Sequence, residues 1–178
     1  MSRGYRVRMP EPVWRNVSSR VESVDAIAMD VGLLEILPEA AMVELLRERL
    51  ADDGWARGAD GAMTRSFGEV VVTLEPDGRS VTARASAARE VQVKGVSEAD
   101  AATKLERASK AEERDLARTV AQRLGAAEAE IRATLQGALQ KVYVEALQRK
   151  AASMGQIESV HEGRGDDGEL ELTIKVRV

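Results

Sequence analysis

The side chains able to do chemistry in this chain are few in kind. His161 is the single histidine, and there is no cysteine. A zinc site built from several imidazoles or thiolates therefore has no ligands to draw on. His161 stands beside Glu162 in a stretch that reads as an exposed strand, where a solvated ring is the simplest role. Ser18, Ser19, Ser66 and Ser86 have no partner base identifiable from spacing. Asp166-Asp167 suggests calcium at first sight, but the ligand spacing of an EF-hand loop is absent. Asp52-Asp53 reads as a helix running into a turn. With 30 Asp and Glu in the chain, carboxylate pairs are too numerous to single one out. Neither the phosphate-cradling G-x-x-x-x-G-K-[ST] nor a dinucleotide fingerprint occurs. The expectation is a protein that is not an enzyme, with no catalytic, cofactor-binding or metal-binding residue and no cofactor.

Binding by surface is what remains. Arg3, Arg6, Arg8, Arg15 and Arg20 face only Glu11 in the first twenty residues. They form either a solvated strand face or a basic patch for nucleic acid. The solvated face is favoured, because the segment carries no nucleic-acid motif. Aromatic residues make up 3% of the chain, which argues against a stacking platform for single strands. The net charge of −4 speaks for solubility and names no partner. Nothing at the start has the apolar centre of a signal peptide, and no stretch approaches transmembrane length. No membrane insertion and a cytoplasmic location follow as expectations.

The elements that would position these side chains are easier to read. "YRVRM" alternates Tyr5, Val7 and Met9 with Arg6 and Arg8, a strand ended by Pro10 and Pro12. Residues 16–35 hold one or two strands. From Pro38 the spacing of Met42, Leu45, Leu46 and Leu50 predicts a helix closed by Gly54, with Trp55 anchoring it to a sheet. "EVVVTLE" and "RSVTARA" are strands joined by Glu-Pro-Asp-Gly, the chemistry of a type I turn with a glycine bulge. "REVQVKG" extends the second strand or adds another. Ser97 and Asp100 imitate a capping box, and helical sequence then runs to Gly155. Its apolar stripe is Leu116, Val120, Leu124, Ile131, Leu135, Leu139, Val142 and Leu147. Gly125 is taken as the break between two helices of an α-hairpin, against one helix of about 80 Å running straight through. "GELELTIKVRV" alternates strictly after an Asp167-Gly168 turn and is the most secure strand. Leu172 and Ile174 are assigned to the core, Thr173 and Lys175 to an exposed face.

Two stretches carry a resemblance. "YVEALQRKAASMGQIESVHEGRGDDGELELTIKVRV" resembles the C-terminus of a small open-reading-frame family of cyanobacteria and plastids. "TLEPDGRSVTARASAAREVQVKGVSEADAATKLE" resembles a short family often encoded beside it. That second family often has Cys after Val-Lys-Gly, where this chain has Ser97. Relatives of both accompany AAA+ ATPases of the FtsH type in bacterial three-component conflict systems. The resemblance implies an accessory or adaptor protein whose partner is the ATPase or an associated component.

Together these features predict an α+β fold in one domain, 1–178, with sub-units 1–96 and 97–178. A largely antiparallel sheet from N-terminal, central and C-terminal strands carries packed helices, including the central α-hairpin. Any part of the stripe Leu116, Val120, Leu124, Ile131, Leu135 and Leu139 left over from core packing would be a docking surface or the seam of a homo-oligomer.

Overall fold

In chain order the elements are β1 (Arg15–Asp30), α1 (Glu39–Asp52), β2 (Ala56–Arg57), β3 (Met63–Phe67), β4 (Val70–Leu74), β5 (Ser80–Gly95), α2 (Glu98–Met154), β6 (Gln156–Arg164) and β7 (Leu170–Arg177). They come from a computed structural model that describes residues 14–164 and 170–177. The fold is α+β. Among the described residues five strands form one sheet in the order β1-β5-β4-β3-β2, and β6 pairs with β7 in a second sheet. The β2–β3, β3–β4 and β4–β5 pairs are antiparallel. Val31 N–H donates to Arg79 O at 2.7 Å, which sets the end of β1 beside the start of β5. The chain divides into two compact units: residues through Asp25 with Ser86–Gln122, and Ala26–Ala85 with Arg123 onward.

The second unit holds most of the buried apolar side chains. Its strands are in register so that Met63, Leu74 and Val81 line up, as do Phe67, Val70 and Ala85. With Val72 and Ala83 these residues make one buried face. The alternate residues Ser66, Val71 and Arg84 are exposed on the opposite face. Burial comes from α1 through Met42, Leu45, Leu46 and Leu50, and from α2 through Leu124, Ile131, Leu135, Ala138 and Val142. α1 begins at Pro38, whose carbonyl accepts from Ala41 and Met42 N–H. It ends before Gly54, at φ 87°. Trp55 is buried next, edge-on to Phe67 with ring centroids 6.1 Å apart.

The Glu-Pro-Asp-Gly turn forms as its residues require. Gly78 N–H donates to Glu75 O at 2.9 Å, and Glu75 N–H donates to Ser80 O at 2.9 Å. Gly78 holds φ 70°, a conformation glycine adopts freely. Asp77 Oδ1 accepts from Arg79 N–H at 2.9 Å.

In the first unit, the early part of β1, the later part of β5 and the start of α2 come together. Ser97 Oγ accepts from Asp100 N–H at 3.2 Å, while Asp100 Oδ2 reaches back to Val96 N–H at 3.0 Å. This is the expected cap. Only Gly95, Ala101, Leu116 and Val120 are buried among the described residues of this unit. Val17, Val21, Val91, Val93 and Leu105 are half-buried.

Three expectations are corrected. First, Gly125 does not break the helix: α2 is one element of 57 residues. From Leu116 onward its buried positions Leu116, Val120, Leu124, Ala127, Ile131, Leu135, Ala138, Val142 and Ala146 advance by four, four and three. An eleven-residue period of this kind is close to the helical repeat and keeps such positions on one side of a helix. A glycine inside a helix costs only about 1 kcal/mol relative to alanine, less than the burial the continuous stripe secures. The α-hairpin is therefore absent, and Leu116, Val120 and Leu124 do not fold back on Ile131, Leu135 and Leu139. Gly125 is exposed, and a Cβ there would meet nothing within 4 Å. Gly125→Ala is thus expected to stabilise the protein by up to about 1 kcal/mol. A lower melting temperature for this variant would contradict an unbroken helix.

Second, among the described residues the C-terminal strands pair with each other and not with the main sheet. Strict alternation fixes which faces a strand presents, not which strand it pairs with. Third, Leu172 and Ile174 are half-buried and not core, although Thr173 and Lys175 are exposed as expected. Ile174→Asp then affects a two-stranded sheet and not the main core. Residues 16–35 hold the single strand β1 and a loop, while β2 and β3 were not anticipated. The expected strand over Tyr5–Met9 and the Asp167-Gly168 turn lie outside the described residues.

Candidate interaction surfaces

The segment after β1 is pinned by its backbone and leaves an apolar side chain outside. Val31 N–H is held by Arg79 O, and Tyr143 OH donates to Gly32 O at 2.7 Å. Local bonds from Leu33 N–H to Val31 O and from Ile36 N–H to Leu34 O tighten the loop. Leu34 is left 58% exposed. It lines a hollow of about 420 Å³ with Asp30, Glu35, Glu39, Met42 and Arg79 among its walls. Arg79 pairs with Glu39, which raises the guanidinium pKa above its ordinary value. The result is an apolar knob whose rim carries Asp30, Glu35 and the Arg79–Glu39 pair.

A second hollow, about 650 Å³, is lined by Arg49 of α1, by Gly137, Gln140, Lys141, Val144, Glu145 and Gln148 of α2, and by Glu162 of β6. Most of its charges are paired. Arg49 bonds Glu145 and also Asp52, the latter at 3.2 Å. Lys141 Nζ reaches Asp53 at 3.0 Å, and Arg149 reaches Glu145 at 2.6 Å. The Arg49 hydrogen bond holds the Glu145 carboxyl below the usual carboxylate range, against the opposing effect of burial, and Arg149 adds to it. The same pair raises Arg49. Paired charges of this kind fix α1 against α2; neither carboxylate nor guanidinium is poised to exchange a proton near neutral pH.

His161 is exposed on β6 opposite Thr173. No group of three or more His, Cys, Asp or Glu that could hold a metal occurs among the described residues. Leu116, Val120, Leu124, Ile131 and Leu135 are buried within the chain and Leu139 is half-buried, which leaves little of that stripe for a partner. Arg15 lies 4.0 Å from Glu98, and Arg20 is exposed on β1. Arg3, Arg6 and Arg8 lie outside the described residues. The structure thus does not gather the five arginines into a described site.

The Leu34 knob and the Arg49–Glu145 pair were not anticipated. Glu145 and Arg149 are four apart and readable as a helical ion pair. Arg49 is 96 positions from Glu145, and only the fold joins them. No helix among the described residues is long and apolar enough to cross a membrane.

No curated protein and no solved structure matches the chain. A family model described as FtsH ternary system domain X5 matches residues 1–178, in agreement with the resemblance to relatives in FtsH-type ternary systems. With that match over its whole length, this chain belongs to the FtsH ternary system domain X5 family.

Proposed function

We propose that the protein is a non-enzymatic, cytoplasmic accessory component that docks on the ATPase, or on a protein bound to it, in an FtsH-type ternary system. Membership of the family over residues 1–178 carries this reading. The Leu34 knob supports it, since an exposed leucine flanked by Asp30 and Glu35, beside the Arg79–Glu39 pair, suits an apolar pocket with a basic border. A role in conflict or defence belongs to the same proposal and rests on the family alone.

The test is binding between the purified chain and the purified ATPase of the same system, followed by sedimentation with and without ATP. A stable complex is expected, and Leu34→Asp should weaken it by about tenfold or more, the effect of losing one central apolar anchor. Absence of a complex in either nucleotide state would remove the adaptor role. ATP hydrolysis by the chain alone would remove the non-enzymatic one. Binding of a duplex oligonucleotide that persists at moderate salt would instead favour nucleic-acid binding through the N-terminal arginines.

A further inference from the structure

Among the described residues β7 is a regular strand with one edge unpaired. Leu172, Ile174 and Val176 are half-buried on one face, and Glu171, Thr173, Lys175 and Arg177 are exposed on the other. It pairs with β6 alone, and among the described residues no strand lies along its second edge. Two-stranded sheets are marginal in water without further pairing or packing. Open edges are usually blunted by a bulge, a proline, a twist or charged side chains. β6 has such a device, an irregularity between Ile157 and Ser159. β7 has neither a proline nor a register shift of its own.

The order of charges along β7 selects what can pair there. Acid comes early, at Glu171, and base comes late, at Lys175 and Arg177. We propose that β7 pairs antiparallel with β7 of a second copy of this chain, about a two-fold axis at Thr173. The four strands then form one sheet, β6-β7-β7-β6. In this register Glu171 lies opposite the partner's Lys175, and Lys175 opposite the partner's Glu171. Leu172 lies opposite the partner's Ile174, and the reverse, so both half-buried apolar rows fall on one continuous face. Opposite charges directly across an antiparallel pair attract, and like charges repel. A parallel arrangement in the same alignment would set glutamate against glutamate and lysine against lysine. Arg177 is already engaged by Glu158 at 2.6 Å, which leaves Glu171 and Lys175 as the selective charges.

Within one chain Glu171 sits across from Gly163 and Lys175 across from Ser159, so reversing either charge meets no charged cross-strand partner in β6. Sedimentation of the full chain across concentration should show a reversible dimer. Glu171→Lys and Lys175→Glu should each weaken it by about tenfold or more, and the two together should restore it to within a few-fold of wild type. The cysteine-free chain allows a second readout. Residues paired directly across antiparallel strands have Cα atoms about 4.5–5.5 Å apart, within disulfide reach. Thr173→Cys should therefore oxidise to a cross-linked dimer. Lys175→Cys should not, because its copy lies about 13 Å away along the strand. A chain that stays monomeric, single reversals without effect, a charge swap that fails to rescue, or equal cross-linking at both positions would each overturn the proposal.

Discussion

Ile131→Ala is expected to lower the free energy of unfolding by about 2–5 kcal/mol, the range for truncating a fully buried isoleucine. Ile131 is 1% exposed and sits midway along the buried stripe of α2. The adjacent Arg132 provides the comparison. It is exposed and pairs with Glu128 at 2.9 Å, four residues back. Arg132→Ala should cost about 0.3–0.5 kcal/mol, as surface helical pairs do. Leu139→Ala should fall between the two, because Leu139 is half-buried. Urea titrations of the three variants check the order. Similar losses at 131 and 132 would mean that the stripe does not face the core.

Gly78→Ala should be nearly as damaging, for two separable reasons. The residue holds φ 70°, and a left-handed backbone costs a residue with a Cβ about 1–2 kcal/mol. The new Cβ would also stand 2.9 Å from both Cγ atoms of Val43 on α1. Overpacking of that kind costs about 1–3 kcal/mol, for a combined loss of about 2–5 kcal/mol. Val43→Ala removes the two methyl groups concerned. In a double-mutant cycle it should recover the steric part and leave the backbone part. Full additivity of the two substitutions would show that Val43 is not what the new methyl meets.

These two positions also mark where the sequence was informative. The Pro76-Asp77-Gly78 turn was legible because its chemistry is local: proline, a side-chain acceptor and a residue free at positive φ stand in consecutive positions. α1 was legible from its stripe and Gly54. β3 was not, because Arg65 occupies the middle of a strand on the inner face. Its guanidinium lies over the Phe67 ring, 5.0 Å from the centroid, and donates to Asp53 O at 2.8 Å. A charge so accommodated hides the alternation of apolar residues. At Gly125 local propensity pointed one way and the long stripe the other, and burial summed over many residues prevailed. Leu116, Val120, Leu124, Ile131 and Leu135 announced an apolar face but could not say whether the chain itself would cover it. Leu34 gave no signal at all, since its exposure depends on Arg79 and Tyr143 holding the backbone from distant parts of the chain.

The sparse interior of the first unit has a dynamic consequence. Gly95, Ala101, Leu116 and Val120 are its buried residues among those described, and two of the four are alanine and glycine. Among the described residues little apolar area is exposed to water if this part opens, so its opening free energy is expected to lie below that of the unit holding Leu46, Leu74 and Ile131. Amide hydrogens of α2 between Glu98 and Asp115 should therefore exchange with deuterium through sub-global opening, while those between Leu124 and Ala146 should wait for global unfolding. One unbroken helix would then belong to two cooperative units, able to release its first turns to solvent while its second half stays folded.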